Sequence, residues 1–167
     1  TEPVFAWVDG WTMLAAQAQG CASPQLRIKQ GEAAGIKADI ISSSSTNISN
    51  LAGLRQASTG RSFCRVSGQA TLTWLLPAVT LRSTAEKFDP INGFQSVKEY
   101  SDLPSMVQDV SNTNCVGAIE SGTLEKYKLP AVPNPKDTIR VVATTPELPF
   151  GGLVASNAVP RELAKQV

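Results

Sequence analysis

The chain contains no histidine among its 167 residues. That removes Ser-His-Asp and Cys-His nucleophile systems at once, together with most zinc sites. Cysteine is scarce as well: Cys21, Cys64 and Cys115 stand far apart and form no CxxC pair. An odd count leaves open three buried thiols, one bridge plus a free thiol, or a partner elsewhere. Charged residues make up 17%, and the net charge is +1 with both signs mixed, so no basic face for nucleic acid is implied. No apolar run reaches the ~18 residues of a membrane-spanning helix. The opening residues TEPVFAWVDG show no signal-peptide pattern and run straight into an apolar strand pattern, as in a chain cut from something longer.

Apolar residues amount to 42%, enough for one ordinary domain or two small lobes. Short apolar runs alternate with helical patterns. Val4–Val8 reads as a buried strand, and Asp9-Gly10 turns it into a helix over Trp11–Gln19 that Gly20 stops. Gln25–Lys29 and Ile36–Ile41 read as further strands. The run Ser42–Asn50, SSSSTNISN, reads as a loop or crossover. Leu103, Met106, Val107 and Val110 fall on one helical face, with Ser101 or Asp102 as cap and Pro104 in the first turn. Cys115–Ile119 and Ile139–Thr144 read as strands, and Pro160 opens a closing helix to Val167. Short continuous apolar runs predict strands buried on both faces, hence an α/β fold with parallel or mixed sheets flanked by helices.

In such folds ligands bind outside the carboxyl ends of strands. Four segments qualify: Asp9–Thr12, Ser67–Thr73, Glu120–Thr123 and Thr144–Phe150. The second is the most informative. Ser62–Val66 predicts a strand, Ser67–Ala70 a loop, and Thr71-Leu72-Thr73 the opening of a helix. Backbone N–H groups and the positive end of a helix dipole would then converge on one spot, a ready anion site. Ser and Thr at a helix start are also ordinary caps, as is Asp9, and Glu120 with its neighbours also reads as a turn. No nucleophile–base pair can be named, so no catalytic residue is assigned. No cofactor and no metal site is expected.

Several segments together resemble the phosphate/phosphonate-binding proteins of ABC importers, the PhnD-like branch of the type II periplasmic binding fold. CVGAIESGTLEKY at Cys115–Tyr127 resembles the family's strand-turn pattern, and IRVVATTPELPFGGLVASNAVPRELAKQV at Ile139–Val167 its return strand and following helix. FAWVDGWTMLAA at Phe5–Ala16 and ISNLAGLRQASTGRSFCRV at Ile48–Val66 resemble the end of the first lobe and the entry to the second. The resemblance implies two lobes with one incomplete. Residues 1–40 and 139–167 would belong to lobe one, and residues 41–138 to lobe two with its crossover segments. Ala38–Ser45 would cross between them, and Val132–Thr144 would cross back.

The resemblance also implies extracytoplasmic capture of a small anionic ligand for ABC permease membrane subunits, in a periplasmic or extracellular protein that is lipid-anchored at full length. It gives no nucleic-acid partner and allows an oligomer if the chain is a fragment. The implied ligand groups are Ala70, Thr71, Leu72 and Thr73, with Asp9, Trp11, Thr12, Tyr100 and Glu120 around them. An exported protein also permits a bridge between Cys21 and Cys64. The family's Ser-Thr-Ser-Gly run is here Ala70-Thr71-Leu72-Thr73, which loses two serine hydroxyls, each worth roughly 1.5–3 kcal/mol against an anion. Thr12 stands for a family tyrosine, Cys115 for a strand aspartate, and Tyr100 lies near a missing histidine. These losses support a second reading, a degenerate lobe used as a sensory or protein-interaction module.

Overall fold

The computed structural model describes residues 2–83, 88–126 and 134–166. In chain order the elements are β1 (Phe5–Val8), α1 (Gly10–Ala18), β2 (Ala22–Arg27), β3 (Gly35–Ile36), β4 (Ala38–Ser43), α2 (Leu51–Ser58) and β5 (Ser62–Val66). A short 3-10 turn at Ser67–Gln69 and a π-helical stretch at Thr71–Leu75 lead into α3 (Leu76–Ser83). Then follow β6 (Ser96–Tyr100), α4 (Leu103–Ser111), β7 (Cys115–Glu120), α5 (Thr123–Lys126), α6 (Pro135–Thr138), β8 (Ile139–Thr144), β9 (Leu148–Pro149), β10 (Gly152–Ser156) and α7 (Arg161–Ala164). Tyr127, Val132 and Val167, named in the sequence reading, lie outside the described residues.

The chain divides into two compact units, Thr1–Ile36 with Glu147–Val167, and Lys37–Pro146. The divisions fall at 36/37 and 146/147, where the sequence reading put 40/41 and 138/139. β4 and β8 therefore belong wholly to the second unit, as paired sheet strands.

The first unit holds an antiparallel sheet of order β1-β10-β2 and a two-stranded ribbon of β3 and β9. Trp7, Leu153 and Leu26 form one cross-strand row. β1 is an edge strand, so the expectation of full burial fails there: Phe5 is 40% and Trp7 65% exposed. Helix α1 begins at a glycine because a β-carbon on Gly10 would overlap the Pro149 carbonyl oxygen. Met13 is the side chain that α1 buries completely.

The second unit is built on a five-stranded sheet of order β6-β5-β7-β4-β8. β6, β5 and β7 run parallel, while β4 runs antiparallel to both β7 and β8. The sheet is thus mixed; its inner strands β5, β7 and β4 are buried on both faces, whereas the edge strand β6 is exposed, against the expectation of strands buried on both faces. One face packs Ile41, Val66, Ile119 and Ile139 against Met106, Val107 and Val110 of α4. The other packs Ile40, Phe63, Val116 and Val142 with Leu54, Leu81, Phe88 and Phe94. Gly117 lets α4 settle on β7, since a β-carbon there would lie 2.6 Å from Met106 Sδ.

Two expectations change here. The Ser-rich run is partly core: Ser42 and Ser43 end β4 and are buried. Their hydroxyls are satisfied locally, Ser42 with Thr46 Oγ1 at 2.9 Å and Ser43 with the Ser111 carbonyl at 3.1 Å. Burying hydroxyls is tolerable when each finds a partner. The bridge joins Cys64 to Cys115, and Cys21 is free and exposed, so a Cys21–Cys64 bridge does not form. Register explains the choice. β5 and β7 are neighbours with Ser62 opposite Cys115, which brings Cys64 and Cys115 to a Cα separation of 5.9 Å.

Candidate functional site

Mixed strand direction gathers five chain segments at one edge of the second unit's sheet. β5, β6 and β7 all end there, at Val66, Tyr100 and Glu120. β4 starts there, with Ala38 opposite Glu120, and β8 ends there, with Thr144 opposite Asp39. Ser67–Thr73, Tyr100, Glu120–Thr123 and Thr144 therefore share an edge. Asp9–Thr12 belongs to the first unit.

β5 occupies the predicted residues. Beyond it the chain does not start a plain α-helix: Leu76 N–H bonds to the Thr71 carbonyl, the wider i+5 spacing of a π turn. Pro77 gives the reason. A proline inside a helix has no N–H to offer and its ring crowds the carbonyl four residues back, here Thr73; a wider turn relieves the crowding. Neither the 3-10 turn nor the π stretch has a side-chain cap. Ala70 is exposed, and Thr71 and Leu72 are half-buried.

Thr73 is different. It is fully buried, and its hydroxyl accepts from Val66 N–H at 3.1 Å and lies 2.9 Å from the Gln69 carbonyl, to which it donates. That hydroxyl ties the helix start to the strand end and is not free for a ligand. The expectation of a Thr73 hydroxyl in the anion cradle is corrected accordingly, which leaves Thr71 as the open hydroxyl of the run.

Tyr100 ends β6 and donates its phenolic hydrogen to Asp109 of α4, 3.6 Å from Cys64 Sγ. Burial first, then the hydrogen bond and charge of Asp109, push the phenol up from 10.0 to about 12. Tyr100 is thus held beneath the edge by a structural partner. Glu120 is exposed. In the first unit Asp9 caps α1, accepting Thr12 N–H at 3.0 Å and Thr12 hydroxyl at 2.8 Å. Those two donors hold the Asp9 carboxyl below its ordinary 3.8. Asp9 and Thr12 are occupied by each other. The indole N–H of Trp11 is buried and makes no hydrogen bond among the described residues.

Two features escaped the sequence reading. Arg65 pairs with Glu99 at 2.7 Å and lies 5.9 Å from the centre of the Trp74 ring, which the π turn supplies. Asp39 is a buried carboxylate at the start of β4, bonded to the Thr144 hydroxyl at 2.7 Å. The available signal was the same in both: a single charge inside an otherwise apolar strand, SFCRV and ADIIS.

The family described as ABC transporter, phosphonate, periplasmic substrate-binding protein matches residues 5–167. The chain belongs to that family. No curated protein matches it. Among solved structures, a binding protein component of an ABC phosphonate transporter from Pseudomonas aeruginosa shares 16% identity at a TM-score of 0.59, over 97% of this chain and 54% of its own. A Xanthomonas citri protein solved with ATP shares 18% at 0.59, over 99% and 61%. PhnD1 from Prochlorococcus marinus, in complex with methylphosphonate, shares 17% at 0.57, over 97% and 59%. At these identities the likeness is one of fold, the type II periplasmic binding fold. The chain spans between 54% and 61% of the length of these three structures. The family is one of substrate-binding proteins, a non-catalytic kind, and its description as periplasmic implies an extracytoplasmic location for its members. Among the described residues no helix is long and apolar enough to cross a membrane.

Proposed function

We propose that this chain captures a small oxyanion, such as phosphate, phosphite or a phosphonate, for an ABC importer and passes it unchanged to the permease membrane subunits. Family membership over residues 5–167 carries the reading. The start of the helix after β5 supports it, with Thr71 and the backbone of Ala70–Thr73 as the anion cradle. In the first unit, taken by itself, Trp11 carries a buried donor without a partner among the described residues. Glu120, exposed at the same sheet edge as Thr71, would meet an ammonium group on an aminoalkyl phosphonate. Tyr100, Asp9 and Thr12 hold these segments in place. The Cys64–Cys115 bridge suits an oxidising compartment, the periplasm or cell exterior, with lipid anchoring in the longer protein.

Thermal-shift titration with phosphate, phosphite, methylphosphonate and aminoethylphosphonate tests this. A binder present at 100 times its Kd stabilises the folded state by about 2.7 kcal/mol, and the shift grows with concentration.

One observation favours a second reading. The Thr73 hydroxyl is committed to Val66 and Gln69, and the two family serines are absent, so the run offers one open hydroxyl. On that reading the chain is a degenerate binding lobe serving as a sensory or interaction module. A flat response to all four compounds selects it.

A further inference from the structure

A cavity of about 450 Å3 lies within the second unit, lined by Asp39, Ser121, Leu124, Ile139, Val141 and Thr144. That volume is within the roughly 300–1,000 Å3 of small-molecule sites. Its lining comes from β4, β8 and the turn after β7, and none of Ala70–Thr73 lines it, so it is distinct from the proposed oxyanion cradle. We propose that this cavity binds a small alkylammonium compound, with Asp39 as the counter-charge.

Three observations support the assignment. Asp39 is 7% exposed, and a buried carboxylate needs donors to offset its lost hydration. It receives one short bond from Thr144 hydroxyl, 2.7 Å to Oδ1, and one long bond from Gly122 N–H, 3.4 Å to Oδ2. A carboxylate can accept about four hydrogen bonds, so acceptor capacity remains on a group that lines the cavity. Second, the walls at Leu124, Ile139 and Val141 are apolar, and Val141, on the edge strand β8, is 41% exposed. Third, the one cationic side chain among the described lining residues, Lys136, is paired with Glu125 at 3.5 Å. A buried carboxylate repels anions. Charge-assisted bonds are roughly twice as strong as neutral ones, which favours an ammonium over an alcohol. The apolar walls call for a short hydrocarbon stem behind that head.

The test is an amide NMR titration of the folded chain with propylammonium chloride, 1-propanol and sodium propionate at equal ionic strength. Propylammonium is expected to give saturable shifts at Ser121 and Gly122, with 1-propanol roughly tenfold weaker and propionate inert. Phosphate added to the same sample leaves those shifts in place, so failure of the oxyanion reading and failure of this one are told apart. Asp39→Asn is expected to weaken propylammonium at least about tenfold. Should that variant fail to fold, Val141→Phe fills the cavity and leaves the carboxylate untouched, with the same loss expected. Equal shifts from all three compounds, or unchanged binding in either folded variant, would overturn the proposal.

Discussion

Tyr100 and Asp109 are joined by a phenol-to-carboxylate hydrogen bond that pins the end of β6 to helix α4, beside the Cys64–Cys115 bridge. Burial first, then this bond and the Asp109 charge, raise the phenol to about 12, so its proton is held more tightly in the folded than in the unfolded chain. The stabilisation is complete below about pH 10, the unfolded value, and is lost as pH rises through 12. Tyr100→Phe should lower stability by about 1 kcal/mol at pH 7 and flatten the alkaline decline. Spectrophotometric titration reads the phenolate directly, and the chain's other tyrosine, Tyr127, gives the remaining signal in the variant. A Tyr100 phenolate forming near pH 10 would refute the assignment.

The Cys64–Cys115 bridge closes a sequence separation of 51 residues, for which chain entropy predicts about 4 kcal/mol of stabilisation. Reduction in denaturant should lower the urea midpoint by the corresponding amount. Alkylation of the native chain should add one label, at Cys21, and reduction after unfolding should add two more. Three labels on the unreduced, unfolded chain would contradict the pairing.

Thr71 and Thr73 should separate under mutation. Thr73→Val leaves the Val66 and Gln69 groups without their shared hydroxyl, at a cost of roughly 1–3 kcal/mol. Thr71→Val should leave stability within about 0.5 kcal/mol and weaken any oxyanion that binds by roughly tenfold. Calorimetric melting and ligand titration of both variants decide it. The reverse pattern would mean that Thr73 is the ligand group.

Acid should weaken three turns together. Backbone N–H donors, from Thr12, Ile91 and Ser105, are the largest influence holding Asp9, Asp89 and Asp102 below 3.8. Each binds its proton less readily folded than unfolded. Their stabilisation is present above about pH 4 and disappears as pH falls through the folded values. Because Asp9 and Asp102 are exposed and Asp89 is only half-buried, the effect is small and screened by salt. Urea midpoints measured from pH 6 to pH 2 should fall less steeply in a triple Asn variant.

Local signals explain what the sequence disclosed. Ser62–Val66 matches β5 at both ends, the apolar stripe of Leu103–Val110 matches α4, and Asp9 caps α1 as its position suggests. Each depends on neighbours within a few residues. Strand direction does not, which is why the antiparallel placement of β4 was not readable. The cysteine partner depends on the register of β5 against β7, a long-range fact. The role of Thr73 follows from the turn forced by Pro77, which brings the hydroxyl back onto Val66 rather than outward. Asp39 was hidden because a charge in an apolar strand shows its meaning only when the strand beside it supplies Thr144.

The position of β10 sets the order in which the molecule can assemble. The second unit is one uninterrupted stretch of chain and has all its strands by residue 146. Among the described residues β1 and β2 do not pair with each other, and each pairs with β10, at residues 152–156. A growing or threading chain must therefore carry two unpaired strands, one bearing Phe5 and Trp7, until residues 152–156 have emerged. Unpaired apolar edges are where chains aggregate and where chaperones bind. Loss of residues 152–156 would thus unmake the sheet that contains Phe5 and Trp7.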